Sequence, residues 1–337
     1  MSATNSAGLF EPSEATLSGH NADVYFERSR QILAAEDLDP VVVMECFTRQ
    51  RALLCGMREV HALLRQVLPG EAEVWSLPEG SWIEPREVVL RIRASYRSFG
   101  LYETALLGML SSETGWATAA AACVEAAGDV PVISFGARHV HPAVSGCMEY
   151  AAVVGGCSGC ATSNGAERVG LAPSGSLPHA LILAMGDTVV AAKAFDRHMR
   201  SGIRRLVLVD TFKDEAEESL RVAAALGDKL WGVRLDTPGE RGRVTAELVE
   251  EVRARLDQAG YGHVKIFVSG GLDAERIHYF CAAGAAVDGF GVGSAISGAR
   301  PIDFTADIKE VDQRPVAKRG RIPGTSENPR LERLALS

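Results

Sequence analysis

The chain has 337 residues, of which 47% are hydrophobic and 23% charged, so it is able to bury a large core. This length is typical of two domains, or of one barrel with additions. The 43 acidic residues outnumber the 35 lysines and arginines. Because the basic residues are scattered along the chain, a general nucleic-acid binder is disfavoured.

Targeting and cysteine patterns predict a cytoplasmic protein. The first twenty residues contain no Lys or Arg and no compact apolar segment follows, so the pattern of a secretory signal is missing. Uncharged stretches are broken by prolines and glycines, and none is expected to span a membrane. The seven cysteines show no repeated spacing, which favours reduced thiols. Cys157 and Cys160 have CxxC spacing, but no second ligand pair accompanies them, which disfavours zinc.

The two ends of the chain differ in pattern from its centre. Residues 21–68 are predicted to be largely helical, residues 72–99 to form strands and turns, and residues 102–127 to form another helix. Residues 302–322 again resemble strands, and the tail after Ile322 is predicted to be an irregular arm. These end segments predict one α+β domain built from both ends of the chain.

Strand and helix patterns alternate regularly between residues 129 and 296. Short apolar, β-branched runs predict parallel strands, and amphipathic segments between them predict helices. The predicted strands cover residues 130–135, 205–210, 230–236, 264–269 and 287–292, and the predicted helices include residues 213–226, 245–259 and 273–283. Such a series forms either an open doubly wound sheet or a (β/α) barrel.

Polar residues at the ends of these strands favour the barrel. In a barrel the carboxyl ends of all strands converge on one mouth, whereas an open sheet spreads them along an edge. The residues at or just beyond these ends are Arg138, His179, Asp210, Arg234, Asp236, Ser269 and Gly293.

Two glycine clusters follow neighbouring strands and predict a phosphate site. Ser269, Gly270 and Gly271 follow one strand, and Gly291 and Gly293 lie at the end of the next. Glycines let backbone N–H groups approach an anion closely, and loops after the last strands of a barrel often bind phosphate. Tight turns at the barrel rim are the structural alternative.

Two acidic residues each end a hydrophobic strand. Asp210 caps the helix that follows, or else it binds hydroxyls, binds magnesium or stabilises positive charge on a sugar. For Asp236 a functional role is favoured, because Arg234 lies two residues earlier and points the same way. Burying both charges without a ligand or partner is costly.

Arg138 and His179 are weaker candidates from spacing alone. Arg138 follows a buried strand, where it binds a carboxylate or phosphate, or forms a salt bridge at the rim. His179 lies where a Gly/Ser/Pro turn meets an apolar run, and most single histidines in such positions are structural.

Ten short motifs, in order, resemble the nicotinate phosphoribosyltransferase family over residues 21–322. They are DVYF from Asp23, YETALL from Tyr102, FGAR from Phe135, HPA from His141, LPHA from Leu177, VDTF from Val209, RLDT from Arg234, VSGG from Val268, GFGVG from Gly289 and AKRG from Ala317. The family joins nicotinate to 5-phosphoribosyl pyrophosphate in NAD synthesis, with magnesium and coupled ATP hydrolysis. The resemblance implies an incomplete (β/α) barrel with a second α+β sandwich domain, in a homodimer with active sites at the interface.

The resemblance also implies roles for individual residues. Tyr25 from the partner subunit and Phe135 sandwich the pyridine ring, Arg138 binds the nicotinate carboxylate or a phosphate, and His179 is phosphorylated by ATP. The remaining assignments place Asp210, Arg234 and Asp236 around the base and ribose hydroxyls, Ser269, Gly270, Gly271, Gly291 and Gly293 around the 5′-phosphate, and Lys318 and Arg319 near ATP or pyrophosphate.

We therefore expect residues 128–301 to form the barrel and residues 1–127 with 302–337 to form the second domain. The expected activity is ATP-coupled nicotinate phosphoribosyl transfer with Mg²⁺. Two alternatives stay open: a quinolinate-type phosphoribosyltransferase, whose dicarboxylate substrate needs an additional cation, and a non-catalytic relative that binds a nucleotide. Ser158 stands where relatives commonly have Asp, which motivates the second alternative.

Overall fold

The computed structural model describes residues 8–336. The chain divides into two compact units. The terminal unit comprises the described parts of Met1–Thr118 and Arg300–Ser337, and the central unit comprises Ala119–Ala299. Among the helices of this described part, none is both long and apolar enough to cross a membrane.

The helices and strands alternate along the chain. The first half contains α1 (Glu14–Leu17), α2 (Val24–Ala35), β1 (Val41–Thr48), β2 (Ala52–Leu53), α3 (Met57–Val67), β3 (Glu73–Ser76), β4 (Trp82–Ile83), β5 (Val88–Ser95), α4 (Tyr96–Phe99), α5 (Glu103–Ala127), β6 (Val132–Ser134), α6 (Pro142–Val154), β7 (Gly159–Cys160) and α7 (Ser163–Arg168). The second half contains α8 (His179–Met185), α9 (Thr188–His198), β8 (Arg205–Leu208), α10 (Glu215–Leu226), β9 (Leu230–Leu235), α11 (Ala246–Gln258), β10 (Lys265–Ser269), α12 (Ala274–Ala282), β11 (Gly289–Val292), α13 (Ser294–Ser297), β12 (Phe304–Val311), β13 (Arg314–Pro315) and β14 (Glu332–Arg333).

The terminal unit contains a six-stranded antiparallel sheet in the order β13-β12-β1-β5-β3-β14. Its core is formed by apolar side chains of β1, β5 and α3. In α3 the buried residues Val60, Leu63 and Leu64 follow the three- and four-residue spacing of one helical face. Packing of this face against the sheet stabilises a helix of only 11 residues.

The prediction of a largely helical segment over residues 21–68 is wrong between residues 41 and 53. Helices α2 and α3 occupy its two ends, but β1 and β2 lie between them. The β-branched run Val41–Val43 favours a strand, and β1 pairs with β5 on one side and β12 on the other. Partners so far away in sequence are invisible to a local helical pattern.

The tail is not an irregular arm throughout. Strand β14 pairs with β3, and the backbone N–H of Leu334 donates to the carbonyl of Val74. Leu331, Leu334 and Leu336 pack against the core of the terminal unit. The tail therefore completes one edge of the antiparallel sheet, although its Pro/Gly-rich composition conceals this.

The central unit contains a six-stranded parallel sheet in the order β7-β6-β11-β10-β9-β8. The sheet is curled into a half-barrel whose edge strands are β7 and β8, and an isolated parallel bridge joins Leu177 to Val207 of β8. The predicted fold class, an incomplete (β/α) barrel with a separate α+β unit, is confirmed.

Side-chain caps fix where the helices of the half-barrel begin. Asp214, Thr245 and Asp273 accept hydrogen bonds from backbone N–H groups in the first turns of α10, α11 and α12. Asp214 rather than Asp210 caps α10, so the structural alternative for Asp210 is wrong. Asp210 is left at the strand end for another role.

Candidate active site

The carboxyl ends of the parallel strands bring the polar residues of the half-barrel together. Asp210 follows β8, Asp236 follows β9, and Ser269 is the last residue of β10. His179 is the first residue of α8, directly after the extended Pro178. Because parallel strands end at the same edge of a sheet, these side chains meet at one mouth.

His179 lies close to Asp210, Asp236 and Thr211. Its Nδ1 lies 2.9 Å from Thr211 Oγ1, and its Nε2 lies 3.5 Å from Asp236 Oδ2 and 3.7 Å from Asp210 Oδ2. The pKa of His179 is raised, first because it faces Asp236 and further because of the negative charge of Asp210. The imidazole therefore holds its proton more strongly than a free histidine.

Asp210 is a buried carboxylate without hydrogen-bond donors. Its side chain is 1% exposed, and neither carboxylate oxygen accepts a hydrogen bond from a residue between 8 and 336. Burial raises the pKa of Asp210 to about 6, and the negative charge of Asp236 acts in the same direction. The group is poised to gain or lose a proton near neutral pH.

Asp236 has the opposite environment. Burial alone would raise its pKa, but His179, Arg234 and Ser269 together hold the pKa of Asp236 below its usual range. Ser269 Oγ donates to Asp236 Oδ1 at 2.7 Å, and Arg234 Nη2 donates to Asp236 Oδ2 at 3.3 Å. Asp236 therefore stays ionised while its neighbour Asp210 titrates.

Arg234 links the carboxylates to an aromatic ring. Besides Asp236, its guanidinium donates to Ser269 Oγ at 2.9 Å and to Ser176 Oγ at 2.8 Å. Its Cζ lies 5.0 Å from the centroid of the Phe135 ring, a cation–π distance. This network fixes both the Phe135 ring and the Asp236 carboxylate.

The glycines of the strand ends make room for these side chains. A Cβ on Gly291 would lie 2.3 Å from the Phe135 ring, and one on Gly270 would lie 3.1 Å from Asp236 Oδ1. Gly270 and Gly271 also have positive φ angles of 93° and 64°, which favour glycine. Gly293 lies close to His139, toward which its Cβ would point.

An open cavity of about 530 Å³ adjoins this cluster. Phe135, Arg138, Ser176 and Arg234 are among the residues that line it. Arg138 is exposed and makes no ion pair with any described residue of the chain, whereas Arg234 is committed to the network above. The cavity therefore offers one aromatic face and one available guanidinium.

Three predicted site residues belong to the terminal unit. Tyr25 is exposed on α2 and its hydroxyl donates to Asp23, while Lys318 Nζ lies 3.6 Å from Asp307. Arg319 is exposed. Their roles, and the homodimer, stay predictions.

Sequence reasoning did not single out Thr211, Ser176 or the Thr237–Glu215 pair. Thr237 Oγ1 donates to the buried Glu215 Oε1 at 2.5 Å, which ties the loop after Asp236 to the start of α10. Thr211 and Thr237 directly follow Asp210 and Asp236, and Ser176 directly precedes the LPHA motif, which was the available signal for these three residues.

The CxxC pair takes no part in this cluster. Cys157 and Cys160 are free and buried, and burial raises the pKa of both thiols, that of Cys160 to about 12. Ser158, between them, donates to the carbonyl of Val132 in β6. Protonated thiols in such surroundings are inert.

The fold and these strand-end residues define an α/β phosphoribosyltransferase-type protein, and comparison with known proteins agrees. The chain matches the C-terminal domain model of quinolinate phosphoribosyl transferase over residues 116–307 and the N-terminal domain model over residues 23–114. The chain belongs to the quinolinate phosphoribosyl transferase family.

Similar curated proteins carry a different substrate in their names. The chain is 34% identical over 229 residues to nicotinate phosphoribosyltransferase pncB2 of Mycobacterium tuberculosis strain H37Rv, covering 66% of this chain and 48% of that protein. It is 31% identical over 227 residues to nicotinate phosphoribosyltransferase of Bacillus subtilis strain 168, covering 66% and 45%. The chain thus spans about half the length of these curated relatives.

Solved structures show the same fold. Nicotinate-nucleotide pyrophosphorylase from Pyrococcus furiosus superposes with a TM-score of 0.87 at 43% identity, covering 96% of this chain and 82% of that one. Human nicotinic acid phosphoribosyltransferase superposes with a TM-score of 0.72 at 19% identity, covering 90% and 77%. The human likeness concerns the fold alone.

Proposed function

We propose that this chain is a phosphoribosyltransferase of NAD synthesis that joins nicotinate to 5-phosphoribosyl pyrophosphate, releasing pyrophosphate. The observation that carries the choice of substrate is the charge of the 530 Å³ cavity. Arg138 is its one available guanidinium, because Arg234 already donates to Ser176, Ser269 and Asp236. One guanidinium fork matches one carboxylate, the charge that nicotinate carries.

Quinolinate is the second candidate, because the family models that match the chain are those of quinolinate phosphoribosyl transferase. Its two adjacent carboxylates would need two cations, and burying the second one unpaired is costly. The names of the similar curated proteins also favour nicotinate.

The site suits the charge changes of phosphoribosyl transfer. The bond between ribose C1 and pyrophosphate breaks and leaves positive charge on the sugar, which Asp236, ionised and fixed by Ser269 and Arg234, would stabilise. The Phe135 ring, fixed in turn by Arg234, offers a face for the pyridine ring whose nitrogen forms the new bond.

Mg²⁺ is expected with the pyrophosphate, and Asp210 fits such an ion. Its two buried carboxylate oxygens receive no hydrogen bonds from the described chain and are the hard ligands that Mg²⁺ prefers. Asp210 would hold the ion with oxygens of the substrate and water completing its shell. When bound, the ion neutralises charge on the leaving pyrophosphate.

ATP coupling is proposed to act through His179. A nitrogen of its ring would attack the γ-phosphorus of ATP, so that the bond to ADP breaks and an N–P bond forms. The imidazole must first lose its proton, and the carboxylates of Asp236 and Asp210, 3.5 and 3.7 Å from Nε2, are the groups placed to accept it. Hydrolysis of the phosphohistidine returns the ring to its initial state.

The test offers nicotinate, quinolinate and nicotinamide in separate reactions with 5-phosphoribosyl pyrophosphate and Mg²⁺, with and without ATP. We expect wild-type protein to form mononucleotide from nicotinate. In R138Q we expect the KM for nicotinate to rise about 10- to 100-fold, because a charge-assisted carboxylate contact is lost.

Each contrary outcome removes a different part of the proposal. Faster consumption of quinolinate or nicotinamide than of nicotinate would reassign the substrate. Absence of product from every base would favour a nucleotide-binding protein without catalysis. If ATP stimulates H179A as strongly as wild type, the coupling role of His179 is wrong.

A further inference from the structure

A buried glutamate of α6 is joined to one wall of the 530 Å³ cavity. Glu149 is 0% exposed, and Ser145, one helical turn before it, lines the cavity. Glu149 Oε1 accepts a hydrogen bond from the backbone N–H of Ala161 at 2.8 Å, and Oε2 accepts one from the backbone N–H of Thr162 at 2.9 Å. Ala161 and Thr162 both line the cavity. One carboxylate therefore holds two neighbouring residues of the cavity wall.

The hydroxyl of Thr162 takes part in the same contact. It donates to Glu149 Oε2, and it accepts from the backbone N–H of Gly165 at 3.1 Å, which caps α7. A hydroxyl has one hydrogen to donate, so Thr162 keeps no donor for a ligand while this bond is made. The contact with Glu149 thus fixes the side chain of Thr162 as well as its backbone.

Gly165 makes room for the carboxylate of Glu149. A Cβ on Gly165 would lie 2.5 Å from Glu149 Oε2 and 2.6 Å from Glu149 Cβ. The side chain of Glu149 could not move away from such a Cβ without breaking its hydrogen bonds to Ala161 and Thr162. Close packing of α6 and α7 is therefore preserved at the point where Glu149 meets the wall.

Another buried glutamate of the central unit has a different kind of partner. Glu218, on α10, is also 0% exposed, but both its oxygens accept from Arg221 Nη1 at 2.9 Å, and Arg221 belongs to the same helix. Among the described residues no cation forms an ion pair with Glu149, whose donors come from one loop. Glu218 supports its own helix, whereas Glu149 supports the wall of the cavity.

We propose that Glu149 is a positioning residue that holds Ala161 and Thr162 in the arrangement that binds the pyridine base. It acts through its three hydrogen bonds to the wall rather than on the reacting atoms. The inference rests on the proposed function and assigns a role to a residue behind the cavity. Loss of Glu149 should weaken binding of the base and change turnover little.

E149Q tests this role, with E218Q as its matched control. Glutamine keeps the size of the side chain, but its NH2 group would face a donor of the loop and could not accept from it. In E149Q we expect the KM for nicotinate to rise about 10- to 100-fold, with kcat and the KM for 5-phosphoribosyl pyrophosphate within a few-fold of wild type. E218Q, which also removes the charge of a buried glutamate, should keep all three constants within a few-fold.

Two measurements need no turnover. Calorimetry should show nicotinate bound more weakly by E149Q than by wild type, by the same factor as the rise in KM. Amide hydrogen exchange of peptides that contain Ala161 and Thr162 should be about 10-fold faster or more in E149Q, because both N–H groups lose a buried acceptor. E218Q should match wild type in both measurements.

Substitutions of Thr162 approach the same contact from the wall, so the result does not depend on the folding of one variant. T162V removes the hydroxyl and should raise the KM for nicotinate several-fold, and T162S, which keeps the hydroxyl, should restore most of the lost affinity. Because both variants break one contact, E149Q combined with T162V should be little worse than E149Q alone.

The contrary results are distinct. An E149Q protein that melts lower than wild type but keeps its loop exchange and its affinity for nicotinate would show that Glu149 only stabilises the fold. An equal rise of KM in E218Q, an equal rise for 5-phosphoribosyl pyrophosphate, additive effects of E149Q and T162V, or a wild-type chain that does not bind nicotinate would each overturn the inference as well. Failure of the proposed transferase activity is recognised separately, as absence of product from wild type.

Discussion

Glu45 in the terminal unit and Asp210 in the central unit are both carboxylates with side chains 1% exposed, yet their surroundings differ. Two guanidinium nitrogens of Arg91 lie 2.7 and 2.8 Å from Glu45 Oε1, and the backbone N–H of Ser326 donates to both its oxygens. Asp210 receives no hydrogen bond from the described residues. The chain satisfies the first carboxylate with hydrogen bonds, whereas the second faces His179 at 3.7 Å and keeps both oxygens free to accept hydrogen bonds from a ligand or to bind a metal.

This difference distinguishes a buried carboxylate that stabilises the fold from a buried carboxylate that serves the reaction. Removing a paired buried charge leaves its partner unsatisfied and should reduce stability. Removing a buried carboxylate that receives no hydrogen bonds relieves a desolvation cost and should increase stability while abolishing function. The variants below test this contrast in order of decreasing expected effect.

D210N should lower kcat about 100-fold or more, because the carboxylate expected to act on the proton of His179 and to hold Mg²⁺ is gone. It should also be more stable than wild type at pH 8 by about 2–3 kcal/mol. Burial raises the pKa of Asp210 to about 6, so its contribution to stability is fully present below the unfolded pKa of about 3.9 and is lost as pH rises through about 6.

Denaturant unfolding of wild type and D210N at pH 8 and pH 4 measures this effect. The difference in the free energy of unfolding should shrink at the lower pH. A D210N protein less stable than wild type at pH 8 would show that Asp210 is a structural residue like Glu45.

E45A should lower the free energy of unfolding by about 3 kcal/mol, because Arg91 and the backbone of Ser326 lose their acceptor. Transferase activity of the folded variant should be unchanged within a few-fold. The control is E84A, which breaks the exposed Arg51–Glu84 pair and should cost less than about 1 kcal/mol. Equal losses in both variants would remove the structural role of Glu45.

E215Q should have the smallest effect, a shift of the pH profile. Asp210 is faced by His179 from α8, by Asp236 after β9 and by Glu215 from α10, and the charge of Glu215 contributes to raising the pKa of Asp210. Glutamine keeps an acceptor for Thr237 but removes that charge. The acidic limb of kcat/KM should therefore move to lower pH, with a few-fold change in the maximum; a shift to higher pH would contradict this account.

The sequence predicted the central unit better than the terminal unit. Strands such as residues 264–269 are continuous apolar runs, so the parallel sheet and its polar strand ends could be recognised locally. Strand β1 could not be recognised locally, because its partners β5 and β12 are distant in sequence. Its buried Glu45 accepts hydrogen bonds from Arg91 and Ser326, which are also distant in sequence.

The same limit applies to the site. Asp210, Asp236 and His179 could be chosen from strand ends and motifs, and the structure places each of the two carboxylates within 4 Å of His179 Nε2. The contacts of Thr211 with His179 and of Ser176 with Arg234 could not be predicted, because each joins residues that are distant in sequence.

The most direct test of the contrast between Glu45 and Asp210 is the rate of nicotinate mononucleotide formation by wild type, D210N and E45A under identical conditions. We predict product from wild type and E45A at rates within a few-fold, and from D210N at a rate lower by about 100-fold or more. A D210N protein that keeps the wild-type rate, or an E45A protein that is folded but inactive, would contradict the account.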